Sequence, residues 1–393
     1  MNINTMRTVD RFGGIPLCWA AGLWIKLLRR PHDPPADQWN TVLLMKFFGL
    51  GSLLLSTPFL SALRQNVPRA RIVYLTFAAN GELLEKLPQP DVRLVIATSS
   101  LRSFVADTWR VIRTLRSLSV DVVFDLEFFS KFSTLLSTLT GAPVRVGYDL
   151  PTSWRRMNLS HPVPLDQSAH ATRLFLAQLD PFGVKGETTP PITRLQSSSG
   201  ARQSMETKLG LQHNGFTVVT VNINAGATSH DRRWEPDRFV DVALELKETV
   251  KPVRFFFTGT AEEFTYVQRA LSRRPELLPY AVNCAGLLTL DEFVALLERT
   301  SLFLTSDSGP MHIAGSVRTP LVAMFGPESP QFYGPSGQSH VIYKGISCSP
   351  CLNIYNAKHF VCPYQARCMS EISVQEVLTA ARRLLPAFRT QTA

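Results

Sequence analysis

No stretch of this chain is apolar for long enough to cross a membrane as a helix, which takes about 20 residues. The longest candidate, Ile15 to Leu28, stops at Arg29-Arg30-Pro31 and lacks the A-x-A-like site of a cleavable secretion signal. Charged residues make up only 18% of the chain against 45% hydrophobic, which excludes a disordered or solvating polypeptide. There is no internal repeat, no low-complexity tract and no nucleic-acid-binding motif, so the positive balance does not by itself imply a nucleic-acid partner. A D-x-D pair in the usual strand-end context is missing too. Only six cysteines occur, four of them between 348 and 368, unlike the spread framework of a secreted disulfide scaffold. These absences point to a globular protein on the cytoplasmic side.

What is present begins with size. The 393 residues suffice for two domains, each with its own core. The net charge of +10 is concentrated in the first half, where residues 1–195 carry 22 Lys/Arg and 14 Asp/Glu. A basic first half suits an anionic ligand or surface. The segment Ile15–Leu28 contains Trp19 and Trp24 and is followed by basic residues, a composition fitting either a helix packed on the next domain or one lying in a membrane interface. Residues 1–40 are therefore expected to be an apolar or interfacial segment plus linker, giving peripheral attachment to the inner face of the cytoplasmic membrane.

From residue 41, β-rich apolar runs alternate with helical periods. Strands are expected at 41–46, 71–77, 92–97 and 120–126, with helices at 53–66, 80–87, 102–118 and 130–140. The turn-rich stretch 186–203 reads as a linker, and a second alternating set follows at 216–223, 253–259, 302–306 and 320–326. This βαβ order predicts an α/β protein of two Rossmann-like domains, 41–190 and 204–385, with a ligand cleft between them. Arg102, Arg110, Arg113 and Arg116 fall at helical spacing and form a basic stripe, either a solvated face or a contact for phospholipid or an anionic acceptor.

The densest chemistry lies in Thr305-Ser-Asp-Ser-Gly-Pro-Met-His-Ile-Ala-Gly-Ser316. A buried strand ends there, a Gly/Pro turn follows, and a helix starts near Pro310. Free N–H groups at such a start, aided by the helix dipole, bind phosphate. His312, in the first turn, is placed to reach the same anion. Asp307 is placed to cap the helix or meet a ligand hydroxyl.

The stretch TSDSGPMHIAGSVRTPLVAMFGP resembles the D-[ST]-G-x-x-H-x-A…P-x-V-x-x-[FY]-G-P signature of glycosyltransferase family 9, the heptosyltransferase family. Residues 46–72, 122–148 and 223–239 resemble further family segments in the same order, so the likeness runs over roughly 41–385. It implies a GT-B fold, an acceptor held mainly by the first domain and a nucleotide-sugar donor held mainly by the second. The implied reaction is metal-independent, inverting transfer of heptose or a similar sugar, from ADP-heptose or another donor, to a glycolipid such as lipopolysaccharide core. By the same resemblance Thr228, Arg232, Glu262, Asp307, Ser308, Gly309 and His312 contact the donor, Arg232 replacing the usual lysine and Glu263 competing with Glu262 for the nucleoside.

One departure bears on mechanism. Where the family carries a general-base aspartate after its first glycine loop, this chain has Ser52, which caps a helix but cannot take the acceptor's proton. Asp125 and Glu127, at the end of the fourth strand, are the candidate replacements, ahead of Glu82 and Asp107. Their structural alternative is to cap the helix that follows. If no base exists, the chain is an impaired nucleotide-sugar-binding scaffold; an epimerase is a more distant rival. No cofactor is required by this scheme. Cys348-x2-Cys351-x10-Cys362-x5-Cys368 is spaced compatibly with a structural zinc site, a disulfide or buried thiols.

Overall fold

The structure is a computed structural model. It describes residues 14–28, 34–150, 155–184, 191–212, 215–225, 230–353, 355–356 and 360–385, with the side chains of the first helix followed as far as Ile25. The chain divides into two compact units, Met1–Thr193 and Arg194–Ala393.

The first unit holds a six-stranded parallel sheet in the order β3-β2-β1-β4-β5-β6. Its strands are β1 (Thr41–Met45), β2 (Arg71–Phe77), β3 (Val92–Ile96), β4 (Val122–Asp125), β5 (Val144–Asp149) and β6 (His161–Pro164). The central runs, TVLLM and VVFD, are buried along their whole length, as parallel strands covered on both faces must be. Right-handed crossovers then sort the helices. The chain moves outward from β1 to β3 through α2 (Leu50–Leu55), α3 (Thr57–Asn66) and α4 (Gly81–Glu85), on one face. It returns from β3 to β5 through α5 (Leu101–Ser117) and α6 (Lys131–Thr140), on the other. The segment from Ile15 is helical as expected: α1 (Gly14–Leu28) packs against α6 and the turn Arg156–Asn158, completing this second layer. Cys18 is buried in that contact, its carbonyl accepts the Asn158 side-chain N–H at 3.0 Å, and Gly22 lies so near Met157 that a Cβ would come within 2.8 Å of that residue's own. A last helix of the unit, α7 (Ala171–Ala177), sits against α3.

The second unit repeats the plan in the order β12-β11-β10-β7-β8-β9. It contains β7 (Thr217–Asn222), β8 (Val253–Phe257), β9 (Ala281–Asn283), β10 (Leu302–Ser306), β11 (Leu321–Phe325) and β12 (Ser339–Tyr343). Its helices are α8 (Ser199–Leu209), α9 (Pro236–Thr249), α10 (Phe264–Ser272), α11 (Leu290–Arg299), α12 (Gly309–Val317), α13 (Pro330–Tyr333), α14 (Arg367–Ser370) and α15 (Val374–Leu384). Helix α8 starts inside the stretch that reads as linker and packs on α11. Its start is fixed by Ser198, whose hydroxyl accepts the Ala201 N–H. Strands β6, β9 and β12 lie at or near sheet edges and are short or half-exposed, so they lack the continuous apolar run that marks the others.

In both sheets the chain reverses its direction of travel at one place: between β1 and β4, and between β7 and β10. Crevices at the carboxyl ends of such switch points are where ligands bind in open α/β sheets.

Candidate functional site

At the switch point of the second unit, Thr305 of β10 stands beside Asn222 of β7. The side-chain amide of Asn222 donates to the hydroxyls of Ser308 (3.2 Å) and Thr305 (3.4 Å). Ser308 is extended, with φ −160°, and its hydroxyl makes no capping bond to α12. It is drawn back into the sheet instead, which leaves the Gly309 N–H at the start of α12 for an anion, while Pro310 has none and the Met311 N–H donates to the Ser308 carbonyl. Gly309 and Pro310 open the helix, and His312 lies buried in its first turn.

Arg232 comes to the same place from the turn His230–Arg232. Its Nη2 donates to the Ala225 carbonyl (2.9 Å) and its Nη1 to Asp307 Oδ2 (3.2 Å). Its Nε is buried and finds no acceptor among the described residues. A guanidinium with one desolvated donor still open is built to take a phosphate oxygen. Trp234 anchors the turn: its backbone N–H meets the Ser306 hydroxyl (3.0 Å), and its fully buried indole donates to the Ile372 carbonyl (3.0 Å).

Two buried acids face this guanidinium. Burial pushes the Asp307 carboxyl up, with Arg232 opposing. Glu328, which the sequence alone does not single out, is pushed up to about 8, chiefly by burial and next by the charge of Asp307. It lies in the Gly326-Pro327-Glu328 loop after β11, and Asp307 is held to that strand by its N–H bond to the Met324 carbonyl. The only signal in the sequence is an acid directly after the Phe-Gly-Pro turn.

Of the acids after β8, Glu262 is fully exposed, its carboxyl held low by its own backbone N–H and the Thr260 hydroxyl. Glu263 is occupied: it accepts the Thr260 N–H (2.9 Å) in a capping box and stands 3.8 Å from Arg233, which lies over the Tyr266 ring. Glu262 is the more exposed of the two. The structure thus brings Arg232, Asp307, Ser308, Gly309 and His312 together at one switch point; Thr228 lies outside the described residues.

The first unit corrects the reading of the strand-end acids. Asp125 and Glu127, expected at an open edge, are both buried. Asp125 Oδ1 accepts the Glu127 N–H (3.1 Å), and Oδ2 accepts Ser133 Oγ (2.7 Å) and pairs with the buried Arg155. Burial pushes this carboxyl up against the pull of Arg155 and Ser133. Glu127 Oε1 takes three donors, Lys46 Nζ (2.8 Å) and the N–H groups of Phe47 (2.7 Å) and Phe48 (3.0 Å). These acids brace the β1 loop, β4 and α6. Ser52 sits in the first turn of α2, beside Gly49, whose φ of +85° requires glycine at the helix N-cap.

The four late cysteines approach one another: burial pushes the thiols of Cys351 and Cys368 up, and the charges of neighbouring cysteines add to it. Among the described residues no three His, Cys, Asp or Glu side chains are grouped so as to hold a metal ion.

Two parallel α/β units, each with a six-stranded sheet and one switch point, define a GT-B fold. The family model for glycosyltransferase family 9 (heptosyltransferase) matches residues 108–360, and the chain belongs to that family. It is 24% identical to lipopolysaccharide heptosyltransferase 3 of Escherichia coli K12, over 86% of this chain and 95% of that one. Among solved structures, a family 9 glycosyltransferase from Veillonella parvula aligns with a TM-score of 0.74 at 23% identity, over 90% of this chain and 99% of that one. The E. coli ADP-heptose lps heptosyltransferase II aligns with a TM-score of 0.71 at 20% identity, over 90% and 100%.

Proposed function

We propose that the protein transfers a heptose from ADP-heptose to a lipid-linked saccharide of the lipopolysaccharide core, by single displacement with inversion. The observation that carries this reading is Arg232, with its unpaired Nε, paired to Asp307 directly before the start of α12. In the proposed reaction the acceptor oxygen attacks the anomeric carbon as the bond to the diphosphate breaks. The nucleoside diphosphate leaves with its added charge shared between Arg232 and the N–H groups of Ser308 and Gly309. His312 contacts phosphate or sugar, and Glu262 receives the ribose hydroxyls. These cationic and dipolar donors do the work a metal does elsewhere, so no metal or other cofactor takes part in the scheme. The partners are the nucleotide sugar, the glycolipid and the membrane surface, not nucleic acid.

The acceptor's proton goes to a base other than Ser52, and the saturated pairings of Asp125 and Glu127 argue against both. That favours a second reading, a scaffold that binds the donor without turning it over. Label transfer from a panel of nucleotide sugars into lipid extract decides between them. Incorporation from ADP-heptose supports the enzyme; no incorporation from any donor, with a nucleotide still raising the melting temperature, supports the scaffold.

A further inference from the structure

We infer that the helical layer formed by α1, α6 and α5 is a docking surface for an anionic lipid bilayer, with α5 an equal partner to the N-terminal helix. The inference rests on the lipid-linked acceptor proposed above and names the face that meets its membrane.

Nine large apolar side chains of the first unit are exposed among the described residues, and eight of them lie on these three helices. On α1 they are Leu17, Trp19, Leu23 and Trp24; on α5, Leu101, Val105 and Trp109; on α6, Leu139. Trp19 is 52% exposed, Trp24 65% and Trp109 57%, whereas Trp39 and Trp234 are buried. Helix α5 packs on β3 and α6, α6 packs on β4, and α1 packs on α6 and the turn Arg156–Asn158, so the three form one contiguous helical layer. On α5 Val111, Ile112 and Leu115 are buried, and the exposed Leu101 and Val105, eleven and seven residues before Ile112, continue that flank toward the helix start, with Trp109 at its solvent edge.

The charge on this layer is basic apart from one acid. Arg102, Arg110, Arg113 and Arg116 are exposed on α5 around the apolar stripe. Arg110 is paired with Asp107 (2.9 Å), the single acid in all three helices, and Arg116 Nε donates to the Leu139 carbonyl (2.9 Å). Arg102 and Arg113 make no ion pair among the described residues. Indole rings with arginines around them, and almost no carboxylate, match the interface of an anionic bilayer, where rings sit among headgroups and guanidinium groups meet phosphate.

The test is co-sedimentation of the purified full-length protein with vesicles of phosphatidylglycerol and phosphatidylethanolamine, and with phosphatidylcholine alone. Binding to the anionic vesicles is expected, and R102Q/R113Q should weaken it roughly 25-fold, about fivefold per charge. Trp109→Ser should also weaken it, with melting temperature and turnover on a de-acylated, water-soluble acceptor kept. Binding left unchanged by both variants overturns the role of α5. Full turnover on the soluble acceptor with no vesicle binding overturns the docking surface while the enzyme reading stands. Vesicle binding without turnover on any donor leaves the surface standing and removes the enzyme. A concentration-dependent dimer that Trp109→Ser abolishes overturns the bilayer as occupant and assigns the face to a second copy.

Discussion

Arg232 and Asp307 form a pair in which the carboxylate draws one Nη toward itself while Nε stays unpaired, and in the proposed function this guanidinium meets the donor diphosphate. Arg232→Ala should therefore weaken ADP binding by about one to two orders of magnitude, as loss of a charge-assisted pair does. Arg232→Lys should recover part of it; calorimetric titration with ADP checks both. Equal affinity in Arg232→Ala would place the diphosphate elsewhere. Glu328 predicts a pH dependence. Unfolded, its carboxyl titrates near 4.5, and folded at about 8, so between these values the folded state holds a proton that the unfolded state has released. Stability thus falls as pH rises through that window. Glu328→Gln should flatten the fall in melting temperature between pH 5 and 8, and a parallel decline in both proteins would show the acid to be uninvolved. Asp125→Asn leaves the buried Arg155 without its counter-charge and should cost about 3–5 kcal/mol in urea unfolding. A loss confined to turnover, with unfolding unchanged, would restore Asp125 as a base.

Single elements carry constraints of their own. Helix α12 presents its first turn correctly only while its far side lies against the loop at Ser336, where a Cβ on Gly315 would come within 2.7 Å of the Ser336 carbonyl. Gly315→Val should push the helix from that loop and weaken nucleotide binding with the fold otherwise kept, readable as a lost thermal shift with ADP. At this scale the sequence is most informative where burial is complete. TVLLM, RIVYLTF and LFLTS read directly as strands because fully covered parallel strands need unbroken apolar runs. The edge strand HPVP carries two prolines and no such run. The site divides in a similar way. Thr305 to Ser316 is legible because Gly-Pro after a strand has a local meaning. Asp125 and Glu127 are misplaced by sequence reasoning because their burial depends on Arg155 and Lys46, partners 30 and 81 residues away.

For the whole molecule, the residues proposed to hold the donor belong to one unit, since Arg232, Glu262, Asp307, Ser308, Gly309 and His312 all follow Arg194. The segment 194–393 expressed alone should fold and bind ADP with an affinity close to that of the full chain, while transferring nothing. Failure of the folded segment to bind would require the first unit to contribute to the nucleotide site. The unit holding that site is also the one with little net charge, whereas the basic excess sits in residues 1–195.

The Arg232 turn has a long-range dependence that bears on synthesis at the ribosome. Trp234 is fastened to the Ile372 carbonyl, 138 residues later, and Arg238 donates to the carbonyls of Ser370 and Ile372. While the strands of the second sheet emerge in order, the loop that carries Arg232 lacks its rear anchor until residues 370–372 have been translated and left the exit tunnel. Incomplete chains should therefore hold no nucleotide sugar, and the donor pool stays reserved for finished molecules.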